Sequence, residues 1–513
     1  MSFYRGISNS SEEESEAYGT KKACEPYLYR QRGSEFPPSL LFGFLLLVFL
    51  LLWLAGRRNW GPGGENVPYL GAIVVLLGIL PAIRWKLLRS HVPEQVGMIP
   101  FVPVLGVLYA LYFGMPVLLE DGFQVPTLQH DIDSVAHALK LSIIGWFALL
   151  LGCGLNRVVF PEIRPVDLRI DWARAKALLP VFLVVGFLAI LAQRELSLPG
   201  ALAQPVRFLQ MLFQLGVGVL ILLSLRGDLE KRESRLLWLG LVPAYLFLQV
   251  GHGSVAQLAY AGIFIMFLVW GIGKRVPLLA LGLAGMVVLL MRGHVHAFRG
   301  EAWQEGGAVS DASPWSRSVF FLELLFERFS EDTGGAFEEA VEQVSARVAH
   351  LGVFAHVTAL TPERVPHWGG TTYAALPSTF IPRLLWPNKP SKEIGQAFGH
   401  RYELLAPTDR STAVNLPIPV EFYANFGALG LALGMLLLGL IYAALSRLWN
   451  HPQGGEGAII LGSILFSRLI LIESDFTLVF GAVLQTSVLL ILVLRALRPA
   501  DSDRSMLVAG GLR

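Results

Sequence analysis

Residues 425–445 read NFGALGLALGMLLLGLIYAAL, an apolar run of 21 residues without a charged side chain. A helix of about 20 apolar residues is long enough to cross the hydrocarbon core of a bilayer, which is about 30 Å thick. The run therefore predicts a membrane-spanning helix. It decides the fold class because runs of the same kind recur along most of the chain.

The other apolar segments lie on both sides of this run. They occur at about 38–55, 67–83, 98–119, 135–155, 177–193, 206–225, 236–250, 255–271, 277–291, 457–473 and 476–494. Only 16% of the 513 residues are charged, whereas a soluble domain carries about 25%. We therefore predict an all-α polytopic membrane protein with about twelve transmembrane helices. The polar tail before the first run does not resemble a cleavable signal peptide, and that run is predicted to be a signal anchor.

Basic residues in the short loops predict the orientation of the helices. With the N-terminus inside, the predicted cytoplasmic segments hold 19 Lys and Arg, and the alternate short loops hold four. Both termini are then cytoplasmic, as the tails 1–37 and 495–513. Helices 1–9 fall in 38–291, helices 10–12 fall in 425–494, and 292–424 form a long extracytoplasmic loop between helices 9 and 10.

The long loop carries the chemistry-bearing residues of the chain. It contains six of the eleven histidines and eleven Lys and Arg. Residues 336–358 predict an amphipathic helix with an apolar stripe at helical spacing. From residue 361 onward, six prolines up to Pro390 argue against helix, so an ordered coil on the membrane surface is expected.

Two cations in the loop are held in a proline-rich stretch, Phe380-Ile-Pro-Arg383-Leu-Leu-Trp386-Pro-Asn-Lys389-Pro390. Prolines fix the backbone around Arg383 and Lys389, and such a preorganised pair suits a diphosphate. Alternatively, Arg383 pairs with a loop carboxylate and only ties the loop down. The residues alone leave both interpretations open.

The stretch 370–427 resembles a known family in its order of motifs. G-T-T-Y at 370–373 is followed by F-I-P-R-x-x-W-P-x-K-P, and N-x-P-x-P-x-E-x-Y-x-N-F-G begins at Asn415. This pattern is similar to that of oligosaccharide repeat-unit polymerases, the Wzy-type O-antigen polymerases. The specific resemblance covers about 345–430, and the remainder matches in hydropathy only.

The resemblance implies an enzyme of the bacterial inner membrane with a GT-C-like fold. Such polymerases join undecaprenyl-diphosphate-linked oligosaccharide repeat units at the periplasmic face, without a metal, a nucleotide sugar or another cofactor. Membrane lipids, a chain-length regulator and a flippase are the other implied partners, and no nucleic acid is expected. An O-antigen ligase-type glycan transferase and a non-enzymatic polysaccharide transporter or flippase are the alternatives. The reaction needs cations to stabilise the departing diphosphate and a base for the acceptor hydroxyl.

Several cationic residues are candidates for binding the lipid diphosphate. Arg292 and Arg299 lie where the ninth helix leaves the membrane, a position that equally suits interfacial anchoring. Arg207 shares one face of the sixth helix with Gln210 and Gln214 and is predicted to face the bundle interior. The remaining two candidates are Arg347, in the resembling region, and Arg468, which binds substrate or pairs with Glu473 or Asp475.

Glu421 is the first candidate for the base, since partial burial just before the tenth helix would raise its pKa. The alternative is that Glu421 forms an ordinary contact with the N-terminus of a helix. His400 and His350 are the other candidates for proton transfer or substrate binding. Tyr423, inside the E-x-Y-x-N-F-G motif, is assigned to substrate binding by the resemblance.

Overall fold

The computed structural model describes residues 38–89, 97–119, 124–125, 128–129, 131–195, 200–250, 255–274, 298, 301, 309, 312, 314–331, 350–381, 386, 394–410 and 412–499. Helices dominate these residues because the apolar runs contain few helix-breaking residues. The first ten helices are α1 (Pro38–Arg57), α2 (Val67–Leu88), α3 (Phe101–Phe113), α4 (Pro116–Leu119), α5 (Ile132–Val159), α6 (Trp172–Glu195), α7 (Gly200–Arg226), α8 (Lys231–Leu236), α9 (Val242–Val250) and α10 (Val255–Gly271). The last six are α11 (Pro314–Glu331), α12 (His350–Leu360), α13 (Ile394–Arg401), α14 (Ile418–Trp449), α15 (Gly455–Leu469) and α16 (Phe476–Ala496).

Shorter elements complete the described chain. A π-helical turn, Leu237–Leu241, joins α8 to α9. Strands β1 (Gln124–Val125) and β2 (Leu128–Gln129) form a small antiparallel pair. The 3₁₀ turns are Thr371–Tyr373, Pro377–Phe380 and Pro452–Gly454.

Six of the described helices are long and apolar enough to cross a membrane. They are α2, α5, α6, α7, α14 and α16. Four shorter described helices are also apolar: α1, α3, α10 and α12. The chain is therefore a helical membrane protein. The predicted ninth segment, 277–291, lies outside the described residues.

Helices α5 and α14 pack closely because glycines allow their backbones to approach each other. A Cβ atom at Gly152 would collide with the carbonyl oxygen of Leu436, and one at Gly439 would collide with that of Leu149. Small residues at helix crossings are a common way to pack helices in a bilayer, where hydrophobicity does not drive helices together. This crossing holds α14, which carries the E-x-Y-x-N-F-G motif, against the centre of the bundle.

A strap of residues 161–171, between α5 and α6, ties the last three helices together at their predicted cytoplasmic ends. The Val166 N–H donates to the carbonyl of Leu448 over 3.0 Å, and the Leu168 N–H donates to that of Gly454 over 2.9 Å. The Asp171 N–H donates to the carbonyl of Leu497 over 2.8 Å. Because these bonds satisfy backbone groups at the ends of α14 and α16, the strap fixes the spacing of these helices.

Arg447 anchors the beginning of the strap. Its guanidinium donates to Asn156 Oδ1 (3.1 Å) and to the carbonyls of Phe160 (2.6 Å), Pro161 (3.1 Å) and Ile163 (2.9 Å). A lysine ammonium cannot reproduce this planar fork of donors. We expect Arg447→Lys to lower the free energy of unfolding by about 1 kcal/mol, since the partly buried acceptors Asn156 and Ile163 lose donors, whereas water can bond to the exposed carbonyls. Thermal unfolding in detergent micelles, with the exposed Arg232→Lys as the matched control, measures the effect; equal melting temperatures in both variants would contradict it.

Three predictions about the long loop and its end need correction. Of the predicted amphipathic helix at 336–358, residues 336–349 lie outside the described residues. Residues 350–360 form α12, which is buried on several sides because it packs among α3, α5 and α14. The expectation of coil after residue 361 is wrong at α13, since the prolines flank this segment and do not interrupt it. The helix predicted to begin at 425 begins at Ile418, so Glu421 lies in its first turn.

Candidate functional site

Two of the sequence motifs meet in the structure. Asn425 joins them: its Oδ1 accepts a hydrogen bond from the Gly370 N–H (2.8 Å), and its Nδ2 donates to Thr372 Oγ1 (2.9 Å). The same Nδ2 donates to the backbone carbonyl of Glu421 over 2.8 Å. The side chain of Asn425 is only 1% exposed, so these bonds replace water that the buried amide cannot reach. The G-T-T-Y and E-x-Y-x-N-F-G motifs therefore form one unit, which we call the motif cluster.

Aromatic rings close the motif cluster on one side. The ring of Tyr373 stacks on Phe426 with centroids 6.4 Å apart and meets Phe476 edge-on at 5.9 Å. Burial raises the pKa of the Tyr373 phenol, and the neighbouring Glu421 carboxylate raises it further. The phenol therefore stays protonated at neutral pH.

The motif cluster depends on a break in α14. Gly427 has φ 68° and ψ −161°, a conformation that only glycine adopts readily, and it interrupts the helix one turn after Tyr423. The break frees two carbonyls, which accept hydrogen bonds from outside the helix. The Trp368 N–H donates to the carbonyl of Ala424 (3.0 Å), and the Gly369 N–H donates to that of Asn425 (3.2 Å). Irregular backbone in a membrane bundle is tolerated where neighbouring groups satisfy it in this way.

Glu421 is fully buried at the centre of the motif cluster. Its Oε2 accepts a hydrogen bond from the Phe476 N–H over 2.7 Å, at the first residue of α16. Among the described residues, its Oε1 has no hydrogen-bond partner. One oxygen thus contacts a helix N-terminus, as the alternative interpretation expected, and the other is buried near the side chain of Thr372 without a hydrogen bond of normal distance and angle among the described residues. The helix that Glu421 contacts is α16, not its own.

The start of α16 has further polar contacts beside Glu421. Asp475 caps this helix by accepting from the Leu478 N–H over 2.8 Å. The hydroxyl of Thr477 donates to the carbonyl of Thr372 over 3.1 Å, which ties α16 to the G-T-T-Y motif. The first turn of α16 is therefore fixed from both sides.

Tyr423 and His400 contact other parts of the loop. The hydroxyl of Tyr423 donates to the carbonyl of Thr361 (3.2 Å), whose own hydroxyl bonds Tyr402 (2.8 Å). This network holds the turn after α12 against α14, which is a structural role for Tyr423. His400 lies in the last turn of α13, and its buried Nε2 has no hydrogen-bond partner among the described residues.

His350, the other predicted histidine, is buried at the start of α12. Its Nε2 lies 3.3 Å from Oε2 of Glu473, and the ring of Tyr112 meets it edge-on. Glu473 is thus paired with His350. The salt bridges of the described structure include no pair between Glu473 and Arg468.

Arg468 lines a cavity of about 170 Å³ between five helices. Its polar walls are formed by Gln214 of α7, Tyr245 and Gln249 of α9, and Gln257 and Tyr260 of α10. Ser467 of α15 and Ser474, just before α16, also line it. Gln257, Tyr260, Ser467 and Arg468 lie near helix ends that the charge pattern predicts on the outer side, as does Glu421, whereas Gln214 lies at the middle of α7. Leu478 and Val479 line the cavity too, so the first turns of α16 separate it from the motif cluster.

The three residues predicted to share one face of α7, Arg207, Gln210 and Gln214, have different surroundings in the structure. Gln214 faces the cavity, whereas the amide of Gln210 donates to Gln193 and to the carbonyl of Ala189 on α6. Arg207 is exposed. Other candidates lie outside the described residues: Arg292, Arg299, Arg347, Arg383 and Lys389.

Sequence reasoning missed the glutamines and tyrosines on α9 and α10 that line the cavity. Gln249 and Gln257 stand in segments that are otherwise almost wholly apolar. A polar amide in such a segment is expected to face the bundle interior and not lipid. The two glutamines could therefore have been recognised from the sequence as interior-facing residues. Their convergence on Arg468, more than 200 residues away in the chain, has no local signature.

Comparison with known proteins gives one family. A family model described as "Domain of unknown function (DUF8712)" matches residues 117–501, which contain the motif cluster and the Arg468 cavity. No curated protein and no solved structure matches the chain.

Proposed function

Because the chain belongs to the DUF8712 family, whose description states no activity, we propose a function on the basis of its own residues: polymerisation of undecaprenyl-diphosphate-linked oligosaccharide repeat units. The observation that carries the proposal is the motif cluster. Two segments that resemble repeat-unit polymerases in sequence, 370–373 and 421–427, bond to each other around the buried carboxyl group of Glu421.

The chemistry of the transfer fits the groups at this end of the bundle. In the proposed reaction the acceptor sugar hydroxyl attacks the anomeric carbon of the growing glycan, the bond from that carbon to the lipid diphosphate breaks, and the hydroxyl proton passes to a base. Glu421 Oε1, with no partner among the described residues, is suited to receive that proton. Cationic side chains stabilise the departing diphosphate, and Arg383 and Lys389 of the proline-rich stretch remain the candidates.

The proposal includes a placement in the membrane. About twelve helices in a GT-C-like arrangement cross the bacterial inner membrane, and both termini face the cytoplasm. The motif cluster and the Arg468 cavity then lie towards the periplasm, where lipid-linked repeat units are presented. Polar groups at one rim favour an enzyme over a transporter, whose ionisable groups lie near the membrane midplane.

Deletion of the gene tests the proposed function. We expect gels of the surface or exported polysaccharide to change from a ladder of chain lengths to a single repeat unit. A lipid-linked polymer that still forms a ladder but is not attached to its final acceptor would indicate a ligase. Accumulation of single units on the cytoplasmic side would indicate a flippase, and either result would reject the polymerase.

A further inference from the structure

The side chain of Arg468 is partly buried, lines the cavity between the helices, and has no counter-ion in the described structure. No hydrogen bond or ion pair reaches it from the described residues, and none of the described residues lining its cavity is acidic. Burying a cation away from water is costly unless an anion or a set of acceptors compensates it. An arginine held in this way is expected to bind an anion that arrives with a ligand.

The walls of the cavity indicate what else the ligand carries. The side-chain amides of Gln214 and Gln257 form no hydrogen bonds with other described residues, and each amide offers both a donor and an acceptor. The phenols of Tyr245 and Tyr260 lie near the guanidinium of Arg468. An ionised phosphate or carboxylate accepts hydrogen bonds and cannot use the acceptor half of these groups. A ligand with hydroxyl groups uses both halves.

Size and charge limit the ligand further. A cavity of about 170 Å³ is smaller than the pockets of roughly 300–1,000 Å³ that hold drug-sized ligands, so it suits one small unit and not a chain. One guanidinium matches one carboxylate through two parallel hydrogen bonds, whereas a lipid diphosphate carries more charge than a single arginine compensates.

We propose that the Arg468 cavity binds one acidic monosaccharide unit of the glycan, with its carboxylate on Arg468 and its hydroxyls on the glutamine and tyrosine side chains. The proposal rests on the proposed function, because it assigns a substrate class to the same polymerase. Arg468 then selects repeat units that contain a uronic acid or a similar carboxylated sugar. The cavity lies across the first turns of α16 from Glu421, so it positions a sugar of the chain and not the reacting hydroxyl.

Ligand-dependent thermal unfolding of the purified full chain in detergent micelles tests the inference. Glucuronate should raise the melting temperature in a saturable manner, and glucose, acetate and inorganic phosphate should each raise it less. Arg468→Gln should weaken glucuronate binding by roughly ten- to hundredfold, the loss expected for a charge-assisted hydrogen bond. The variant should fold, because it removes a partly buried charge that has no counter-ion among the described residues. The exposed Arg232→Gln is the matched control and should keep the wild-type response.

The Gln257→Leu variant distinguishes recognition of the sugar hydroxyls from recognition of the anionic group. It leaves Arg468 in place, so it should reduce the preference for glucuronate over acetate while acetate binding persists. An Arg468→Gln variant that binds glucuronate like the wild type would overturn the inference. Equal responses to glucuronate, acetate and phosphate would also overturn it, since they indicate an anion site without a sugar. A glucose 1-phosphate response that exceeds the glucuronate response would assign the anion to a phosphate and reject the carboxylated sugar.

The outcome for the cavity is independent of the outcome for the proposed function. If glucuronate fails to bind but gene deletion still collapses the ladder, the polymerase stands and the acidic-sugar inference falls. If glucuronate binds through Arg468 and the ladder survives deletion, binding of an acidic sugar in the cavity is supported and the polymerase is rejected.

Discussion

Replacing Glu421 by glutamine is expected to abolish chain extension while the protein remains folded. Glutamine has the same shape, and its side-chain oxygen can still accept the hydrogen bond from the Phe476 N–H that Oε2 accepts now. It cannot receive a proton from an acceptor hydroxyl. A positioned base contributes about 10²- to 10⁴-fold to the rate, so polymer made by this variant should fall to a single repeat unit.

Glu421→Ala should behave differently, because it removes the contact with α16 as well as the proton acceptor. The lost cap costs about 1 kcal/mol, and the empty space left by a fully buried side chain adds to this. Gels of the polysaccharide from a complemented deletion strain measure extension, and unfolding in detergent measures stability. Glu363→Gln, an exposed carboxyl group in the same loop, is the control and should be neutral. Long polymer from the Glu421→Gln variant would assign Glu421 to capping alone.

Gly427→Ala is the second substitution with a large expected effect. Gly427 has φ 68° and ψ −161°, a region that is essentially restricted to glycine, so alanine there costs about 1–3 kcal/mol. If the backbone relaxes into continuous helix instead, the carbonyls of Ala424 and Asn425 return to the helix. The N–H groups of Trp368 and Gly369 then lose their acceptors. Either response should lower the melting temperature and disturb the motif cluster, with loss of long polymer.

Gly262→Ala provides the matched control for this substitution. Gly262 lies within α10, and a Cβ atom there would meet no other atom within 4 Å. Alanine in a regular helix is favoured over glycine by about 1 kcal/mol, so this variant should be at least as stable as the wild type. Equal melting temperatures for Gly427→Ala and Gly262→Ala would show that the break in α14 is not required by the fold.

The helices could be predicted from the sequence where one local property, a continuous run of apolar residues, determines them. The run 425–445 predicts a helix, and α14 contains it. Its beginning at Ile418 was missed, because the prediction counted only the uncharged apolar run, which starts after Pro417, Pro419 and Glu421. Proline is tolerated in the first turn of a helix, where its missing N–H has no partner in any case. The explanation for α13 is different, since this helix lies in a proline-free interval of a proline-rich loop.

The sequence identified Glu421 and Arg468 as candidate site residues, but it did not predict which residues they contact. Glu421 was singled out from its motif, but its bond to Phe476 joins positions 55 residues apart. Helical spacing suggested that Arg468 pairs with Glu473 or Asp475. That spacing does not apply, since α15 ends at Leu469 and the next residues turn towards other elements. Glu473 contacts His350, and Asp475 caps α16.

The strap at 161–171 has a consequence for the biosynthesis of the protein. Arg498 donates to Asp167 across 331 positions, and the carbonyl that Asp171 bonds belongs to Leu497. When only the first helices of a nascent chain have been inserted, the strap is already present. The residues whose carbonyls accept hydrogen bonds from it have not yet been translated. The helices enter the membrane one after another, but the strap can bond to its last partners only after Leu497 and Arg498 have been translated. In the predicted orientation, a chain that stops before the end of α16 leaves these backbone groups of the strap bonded to water on the cytoplasmic side and not to the final helices.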